Sequence, residues 1–504
     1  MVMAVLVAPK LLTGFAVRDF KMLINGEWVA ALEGGVLERA APSHGVTVSR
    51  YPEGTKADAE RAIAAARQSF DAGGWVNKTG AERSNILLKA ADLIESRAEE
   101  LSLLDAIEAG KPISQVRGEI AGAVDIWRYA AALARDLHGE SYNTLGDGTL
   151  GVVLREAIGV VSMITPWNFP FLIVSQKLPF ALAAGCSCVV KPSELTSGST
   201  LVLGEILIEA GIPAGVVNII TGTGADAGAL LSTHADVDMV SFTGSTGVGR
   251  LIMANAAQGL KKVSLELGGK NPQIVFPDAD LDAFIDAAVF GAYFNAGECC
   301  NAGSRLILHK DIADDVVSRI AALSKKVKLG DPLDPQTQVG AIISPQHLQK
   351  ISTYISGASQ AGATVVSGGG IVDFGAGHFM ELTLLSDVTA DMAVAREEVF
   401  GPVLSVLTFE TAEEAIHIAN SIDYGLSASV WSRDFDTCLT VGRKVRAGTI
   451  WMNTFMDGAP ELPFGGYRQS GQGRELGRHA VEDFTETKTL NMHIGSRKTL
   501  WVCD

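Results

Sequence analysis

The chain is expected to be an α/β protein built on two largely parallel sheets, with a small antiparallel hairpin set apart from both. Between Gly159 and Thr246 short apolar runs alternate with helical patterns, and strands that alternate with helices in this way pair side by side with the helices covering the sheet faces. A second α/β portion runs from residue 271 to about residue 448. The composition agrees: 47% apolar and 19% charged residues describe a packed globular chain, and 54 glycines without a repeat suit the tight turns of a large α/β fold. At 504 residues the chain exceeds one ordinary core, so two or three domains are expected.

Taken in order, residues 23–29 hold two short extended runs around Asn25-Gly26, the dipeptide preferred in a two-residue type I′ hairpin. Residues 56–70 place Ile63, Ala66 and Phe70 on one helical face, and residues 82–108 do the same with Leu87, Ala90, Ala91 and Ile94. Gly110 and Pro112 should end that second helix. A further helix over 116–137 carries Trp127 and Tyr129 on its apolar side. The polar, Gly-rich stretch 141–158 then reads as a hairpin that pairs outside its own domain. Strands at 159–164, 187–191, 216–220 and 239–242 lead into helices that run to Leu182 or begin near Thr196, Ala225 and Thr246. Helices are expected over 281–295, 311–327 and 345–361, and a short one over 479–483. Residues 484–494 are extended again and would complement the 141–158 hairpin, in this subunit or another.

A formal net charge of -16 sets the overall field against nucleic acid. No apolar run reaches the roughly 18 to 20 residues of a membrane span. Residues 1–20 lack a charged start, a sustained apolar core and a small-residue cleavage site, and read as an extension and not a targeting signal. The six cysteines, Cys186, Cys188, Cys299, Cys300, Cys438 and Cys503, form no disulfide framework, so a reducing, cytoplasmic setting is expected. Cys186 and Cys188 lie in an alternating apolar run with no matching Cys/His pair, which favours packing over metal; no metal site is expected.

Three stretches suggest a dinucleotide. Gly222-Thr-Gly-Ala-Asp-Ala-Gly228 follows a strand and opens a helix, where phosphate-binding glycines belong, although its spacing misses GxGxxG by one residue. Phe242-Thr-Gly-Ser-Thr-Gly-Val-Gly249 is a second Gly-rich helix entry. Each alone would also serve as an ordinary turn. Lys191-Pro-Ser-Glu194 ends another strand, and Lys191 and Glu194 could hold a ribose through its hydroxyls; a carboxylate there repels a 2′-phosphate, so NAD is favoured over NADP. Cys299 and Cys300 lie in the loop Phe294-Asn-Ala-Gly-Glu-Cys-Cys-Asn-Ala-Gly-Ser-Arg305. A packing cysteine usually sits in an apolar run, whereas this Gly- and Asn-punctuated loop presents a thiol. Structural cysteines and a metal fragment remain open on the loop alone.

Pro166-Trp-Asn-Phe-Pro170, Lys191-Pro-Ser-Glu194, Phe242-Thr-Gly-Ser-Thr246, Leu265-Glu-Leu-Gly-Gly-Lys-Asn-Pro272, the cysteine loop, Glu397-Glu-Val-Phe-Gly-Pro402 and Pro463-Phe-Gly-Gly-Tyr467 together resemble the aldehyde dehydrogenase superfamily, in its order and spacing, from about Leu23 onward. The resemblance implies an aldehyde dehydrogenase-like fold: a Rossmann-type NAD-binding domain over 1–138 and 158–266, a catalytic domain over 267–480, and oligomerisation elements over 139–157 and 481–504. It implies Cys300 as nucleophile with Cys299 beside it, Glu266 as general base, and the Asn168 amide with the Cys300 backbone N–H as oxyanion hole. Lys177 and Glu475 match positions that help move protons from the base. The implied cofactor wall runs through Ile164, Thr165, Pro166 and Trp167, then Lys191, Ser193 and Glu194, with Gly224 and Gly228 beyond. Phe242, Thr243, Gly244, Ser245, Leu267, Glu398 and Phe400 complete it, Ser245 at a phosphate and Glu398 at the nicotinamide ribose.

These roles agree with the chemistry. An aldehyde releases hydride only after a nucleophile has made its carbon tetrahedral, and a free thiol of pKa ~8.5 is only slightly ionised at neutral pH. Fixed donors to the oxyanion contribute about 10²- to 10³-fold each, and a base that activates water for thioester hydrolysis about 10²- to 10⁴-fold. Glu266 lies in an apolar run, where a carboxylate is costly without a task. The resemblance places Phe169, Gln176, Cys299, Asp457 and Phe464 along the substrate tunnel with Glu461 at or near its wall; residues 453–471 are similar to bacterial betaine-aldehyde dehydrogenases. A cationic amino- or trimethylammonium-aldehyde is the expected substrate, and a homodimer or homotetramer the expected assembly. Glu298 stands where the family often has glutamine. A CoA-acylating semialdehyde dehydrogenase would typically lack the base, and a structural or binding protein on this scaffold would lack Cys300, Glu266 or Asn168.

Overall fold

The structure, a computed structural model, describes residues 4–10, 16–496 and 501. An eight-stranded sheet runs in the order Gly471–Gln472, Lys262–Glu266, Met239–Thr243, Val160–Ile164, Ser187–Lys191, Val217–Ile219, Met22–Ile24, Glu27–Val29. Its five strands from Lys262–Glu266 to Val217–Ile219 are mutually parallel. From Val160–Ile164 the chain winds one way through the next two strands and then crosses back to Met239–Thr243 on the other side. The order therefore reverses between Val160–Ile164 and Met239–Thr243, and the crevice beyond their carboxyl ends is where such sheets bind ligands.

The expected Asn25-Gly26 hairpin is present, with both turn residues at positive φ (53° and 79°), as a type I′ turn requires. The expected single helix over 82–108 is instead two, Gly80–Ser96 and Ala98–Ala109. The chain breaks at Arg97 (φ -105°, ψ 17°), whose guanidinium binds Glu100 at 2.8 Å and Glu205 at 2.6 Å. Hydrophobic periodicity continues across that break and hides it. Thr79 and Glu82 form a capping box that starts the first of the two helices, and left-handed Gly110 (φ 76°) closes the second. These helices and Ile113–Asp136 pack with Pro170–Ala184 in a core that includes Trp75, Trp127, Phe171 and Phe180.

A seven-stranded sheet, parallel except for its edge strand Thr364–Ser367, orders Thr364–Ser367, Thr383–Ser386, Val403–Phe409, Arg305–His309, Pro272–Val275, Ser427–Trp431 and Thr449–Met452. The helix expected over 281–295 stops at Tyr293, because Asn295 and Ala296 turn left-handed. Glu140–Tyr142, Thr149–Ala157 and Thr485–His493 form one antiparallel sheet, so the last strand completes the hairpin within its own chain. Two segments tie distant parts together: Val5–Val7 pairs with Lys328–Gly330, and Gly471–Gln472 joins the edge of the first sheet beside Lys262–Glu266. Residues 1–3 and 11–15 of the expected N-terminal extension, with 497–500 and 502–504 of the expected oligomerisation element, lie outside the described residues.

Candidate active site

The nucleophile loop lies between the Leu281–Tyr293 helix and the Arg305–His309 strand. Asn295, Ala296 and Gly297 are left-handed in succession (φ 51°, 54° and 72°). That conformation costs an L residue about 1–2 kcal/mol. The Asn295 side chain helps to hold it, because Nδ2 donates to the carbonyls of Asn168 (3.1 Å) and Glu298 (3.0 Å). A Cβ on Gly297 would stand 2.2 Å from the Gly401 carbonyl oxygen. Beyond the turn, Asn271 Nδ2 donates to the carbonyls of Cys300 (2.7 Å) and Ala302 (3.0 Å), and its Oδ1 accepts from Ser427 N at 3.1 Å. Cys299 is left buried against Phe169, Ile173 and Ala302, while Cys300 is half-buried and lines the cavity. The Cys300 thiol is held well above its ordinary pKa by its hydrogen bond with Cys299, then by burial and the nearby charges of Glu398 and Glu266.

Asn168 follows the Val160–Ile164 strand and is buried, with Nδ2 donating to the Glu298 carbonyl at 3.0 Å. One of its two amide N–H groups is so engaged, and the second is left for an oxyanion. Glu266 closes the Lys262–Glu266 strand, is 4% exposed, and has neither carboxylate oxygen hydrogen-bonded among the described residues. Burial, and next the charge of Glu475, raise its pKa well above the usual range, while Lys177 and Arg474 oppose the shift. Lys177 is fully buried, binds the Glu475 carboxylate and donates to Ser241 Oγ at 3.0 Å. Phe464 and Glu475 are joined by two backbone hydrogen bonds of 2.7 Å, which hold Glu475 close to the cavity wall.

The residues expected at the cofactor gather at the carboxyl ends of the parallel strands. Ile164, Lys191, Phe242 and Thr243 end or flank them; Thr165, Pro166, Trp167, Ser193, Glu194 and Gly244 follow in the loops. Ser245 caps the Thr246–Ala257 helix. Lys191 is buried, lies 3.7 Å from Glu194, and its pKa is lowered by burial. Gly228 lies in the wide turn Gly224–Gly228, where a Cβ would touch the Lys191 stem at 3.4 Å. The buried hydroxyls of Thr165 and Thr243 have no partner among the described residues, so polar atoms remain for a ligand to satisfy. Glu398 accepts from Gly269 N at 2.9 Å, with its pKa raised to about 7 by burial, and a Cβ on Gly268 would collide with its carboxylate at 2.3 Å. Phe400, at φ 60°, packs edge-on against Trp167 at 5.4 Å. The chemistry of these groups fits a dinucleotide, with the carboxylates of Glu194 and Glu398 among the polar groups that gather there.

A cavity of about 760 Å³ reaches Cys299, Cys300, Glu266, Leu267 and Thr243. Its walls include Phe169, Leu172, Gln176, Phe294, Trp451 and Phe464, with Phe169 stacked on Phe294 at 6.0 Å. Exposed Asp125 and Asp457 stand in its lining; Thr454 donates its hydroxyl to the Asp457 carboxylate, and Trp451 Nε1 donates to the Asp457 carbonyl at 2.6 Å. Glu461, expected at or near this wall, is exposed and outside the lining, although Pro460 and Leu462 belong to it. Burial raises the Tyr129 pKa, and the charge of Glu461 adds to that rise. Among the described residues no cluster of His, Cys, Asp or Glu could hold a metal ion, and no helix is long and apolar enough to cross a membrane.

Sequence reasoning missed Asn271, Asn295, Lys111 and Asp125. Asn271 and Asn295 sit within or beside quoted motifs, where an amide in a tight Gly-rich turn was the available signal. Lys111 and Asp125 come from more than 40 residues before Asn168 and meet the site only through the tertiary fold.

Residues 28–490 match the profile of the aldehyde dehydrogenase family. The chain belongs to the aldehyde dehydrogenase family. It is 43% identical over 478 residues, 94% of its length and 95% of the relative's, to aldehyde dehydrogenase family 2 member C4 of Arabidopsis thaliana. It is 40% identical to the betaine aldehyde dehydrogenase of Bacillus subtilis, covering 93% of this chain and 96% of that one. The crystal structure of an NAD-dependent aldehyde dehydrogenase from Sinorhizobium meliloti superposes with a TM-score of 0.97 at 47% identity over 99% of both chains. That of a betaine aldehyde dehydrogenase from Staphylococcus aureus with NAD+ gives 0.94 at 38% identity over 96% of both.

Proposed function

We propose that the protein oxidises an aldehyde to its carboxylic acid with NAD as hydride acceptor, through a thioester on Cys300 that water hydrolyses. One observation carries this reading: the half-buried Cys300 and the partnerless Glu266 carboxylate line the same cavity, and the loop holding Cys300 is bonded to the Asn168 amide. Once its proton has passed to solvent, the Cys300 sulfur adds as thiolate to the carbonyl carbon, and the free Asn168 N–H with the Cys300 backbone N–H stabilises the oxygen that becomes charged. Bound NAD supplies the ring that takes the hydride. Loss of hydride from the tetrahedral carbon leaves the thioester; water then adds, the C–S bond breaks, and Glu266 takes the water's proton. Lys177 and Glu475 stand behind Glu266 to pass that proton on. In Cys300→Ala, NADH formation should fall by more than about 10³-fold while NAD still binds, since the nucleophile alone is lost. Normal turnover in that variant would remove Cys300 from the mechanism.

For the substrate we infer an amino- or trimethylammonium-aldehyde. Asp125 and Asp457 would attract its cation, and the aromatic wall would face it. The betaine aldehyde dehydrogenases and the aminoaldehyde dehydrogenase of Zea mays among the relatives support the same class. Comparing kcat/KM for a cationic aldehyde and an uncharged one of equal length tests it, and preference for the uncharged one sinks it. The domain division at 138, 158, 266 and 480 is likewise a proposal, as is a homodimer or homotetramer. Assembly is supported by exposed Val248 and Leu251 on the Thr246–Ala257 helix and by the open edge of Thr485–His493. The free cysteines support a cytoplasmic location.

A further inference from the structure

The segment that carries Asn168 has an exceptional anchor. Phe169 is the N-cap of the Pro170–Ala184 helix and its carbonyl accepts the first helical bond, from Ile173 N at 3.0 Å, so the Asn168 carbonyl, one residue earlier, stands outside the helical hydrogen-bond ladder. Two side chains take it: Lys111 Nζ at 2.8 Å and Asn295 Nδ2 at 3.1 Å. The ammonium of Lys111 also lies 3.7 Å from the centroid of the Phe169 ring and 2.7 Å from the Glu119 carboxylate. Lys111 is 2% exposed, so none of these contacts is shared with bulk water.

The approach of Lys111 is itself fixed. It follows Gly110, whose φ of 76° lets the chain reverse at the end of the Ala98–Ala109 helix, and the Gly110 carbonyl accepts from Ala341 N at 2.9 Å. From the same helix, Asp105 accepts from Phe171 N at 3.1 Å. Two side chains from one helix and its terminal turn thus hold the strand-to-helix junction from which the Asn168 amide projects.

We propose that Lys111 is a positioning residue for the reaction: it fixes the Asn168 main chain, and with it the oxyanion-binding amide, and at the same time sets the Phe169 ring in the cavity wall. A buried cation that merely balanced Glu119 would need neither the Asn168 carbonyl nor the face of Phe169. The inference rests on the proposed function, in which Asn168 binds the oxyanion. A second consequence concerns charge. Glu119 lines the cavity, but its carboxylate is already bound by Lys111, so that apart from Glu266 and Glu475 the lining carboxylates left to meet a substrate cation are Asp125 and Asp457.

The test is a double-mutant cycle in the full-length enzyme between Lys111→Met and Asn168→Ala. It is repeated with Lys111→Met/Glu119→Gln, which leaves no lone buried carboxylate and guards against misfolding. Expected is a fall in kcat and in the NADH burst rate of about 10- to 100-fold for either Lys111 variant, the scale of a misplaced catalytic group, with KM for NAD changed less than about 2-fold. In the Asn168→Ala background the same substitutions should cost less than about 3-fold, because the group they position is gone. Fold-changes that multiply overturn the positioning role, as does a kcat within about 2-fold of native for the folded Lys111→Met/Glu119→Gln variant. Full turnover in Asn168→Ala alone overturns the oxyanion assignment itself, and separates failure of the functional reading from failure of this proposal.

Discussion

Glu475 is bound to Lys177 in a buried ion pair, and its charge falls on Glu266, whose own two carboxylate oxygens have no hydrogen-bond partner. Among the described residues one carboxylate is thus held in an ion pair and the other is not. Burial and Glu475 together favour the protonated form of Glu266, and a protonated carboxyl is not a base. Activation of the hydrolytic water should therefore increase with pH as Glu266 ionises.

The acid limb of kcat, measured where thioester hydrolysis limits turnover, should lie above the ordinary carboxylate range. Glu475→Gln removes a cause that raises the Glu266 pKa and should move the limb to lower pH. Lys177→Met removes an opposing charge and should move it to higher pH. Glu266→Gln should lower steady-state kcat by about 10²- to 10⁴-fold, yet keep a burst of NADH equal to the number of active thiols. A limb that stays in place in both the Glu475 and Lys177 variants rules out this electrostatic account.

Cys299 is the first cause of the high Cys300 pKa, through their side-chain hydrogen bond. Cys299→Ala removes that bond, so the Cys300 thiolate fraction without cofactor should grow. The alkylation rate of Cys300 by iodoacetamide at pH 7.5, a pH chosen as roughly one unit below a free thiol's pKa, should rise. An unchanged or slower rate shows that burial and the charges of Glu398 and Glu266, and not Cys299, set the thiol.

Gly297 tests how tightly the nucleophile loop is built. Its φ of 72° disfavours a side chain, and a Cβ would meet the Gly401 carbonyl at 2.2 Å. Gly297→Ala should cost about 1–3 kcal/mol of stability and, by displacing Cys300, about 100-fold in kcat/KM. Urea denaturation and initial rates measure the two effects. Native stability and activity together would mean that the loop readily adapts.

The parallel sheets were legible because each strand and helix carries its own period, and the glycines between them mark helix entries at strand ends. Cys300, Glu266 and Asn168 could be read from motifs whose members lie close in sequence. The break at Arg97 was hidden because the apolar spacing on either side stays in phase, and what holds it, Glu205, is far along the chain. The left-handed Ala296 has no local signal at all, since alanine favours a helix and here its neighbours enforce the turn. Glu461 was legible only as to its loop: its neighbours Pro460 and Leu462 line the cavity, and Glu461 itself stands beside that wall.

Glu298 joins the sequence departure to a measurable consequence. Its carboxyl is 2% exposed, its Oε1 accepts from Ile343 N at 3.0 Å, and burial raises its pKa well above the ordinary glutamate value, with Ile343 N, Lys111 and Arg39 opposing. The folded state therefore holds the proton more tightly than the unfolded chain. The resulting stability is fully present below the unfolded pKa of about 4.5, and is lost as pH rises through the folded value. Glutamine stays neutral at every pH and keeps an oxygen to accept from Ile343 N. Glu298→Gln should thus retain kcat/KM within about 3-fold, as expected where the packing and hydrogen bond survive. Its Tm should gain on the native enzyme steadily from acid to alkaline pH. Paired thermal scans across that range measure the difference, and a gap that is flat or narrows with pH means that Glu298 is ionised in the fold.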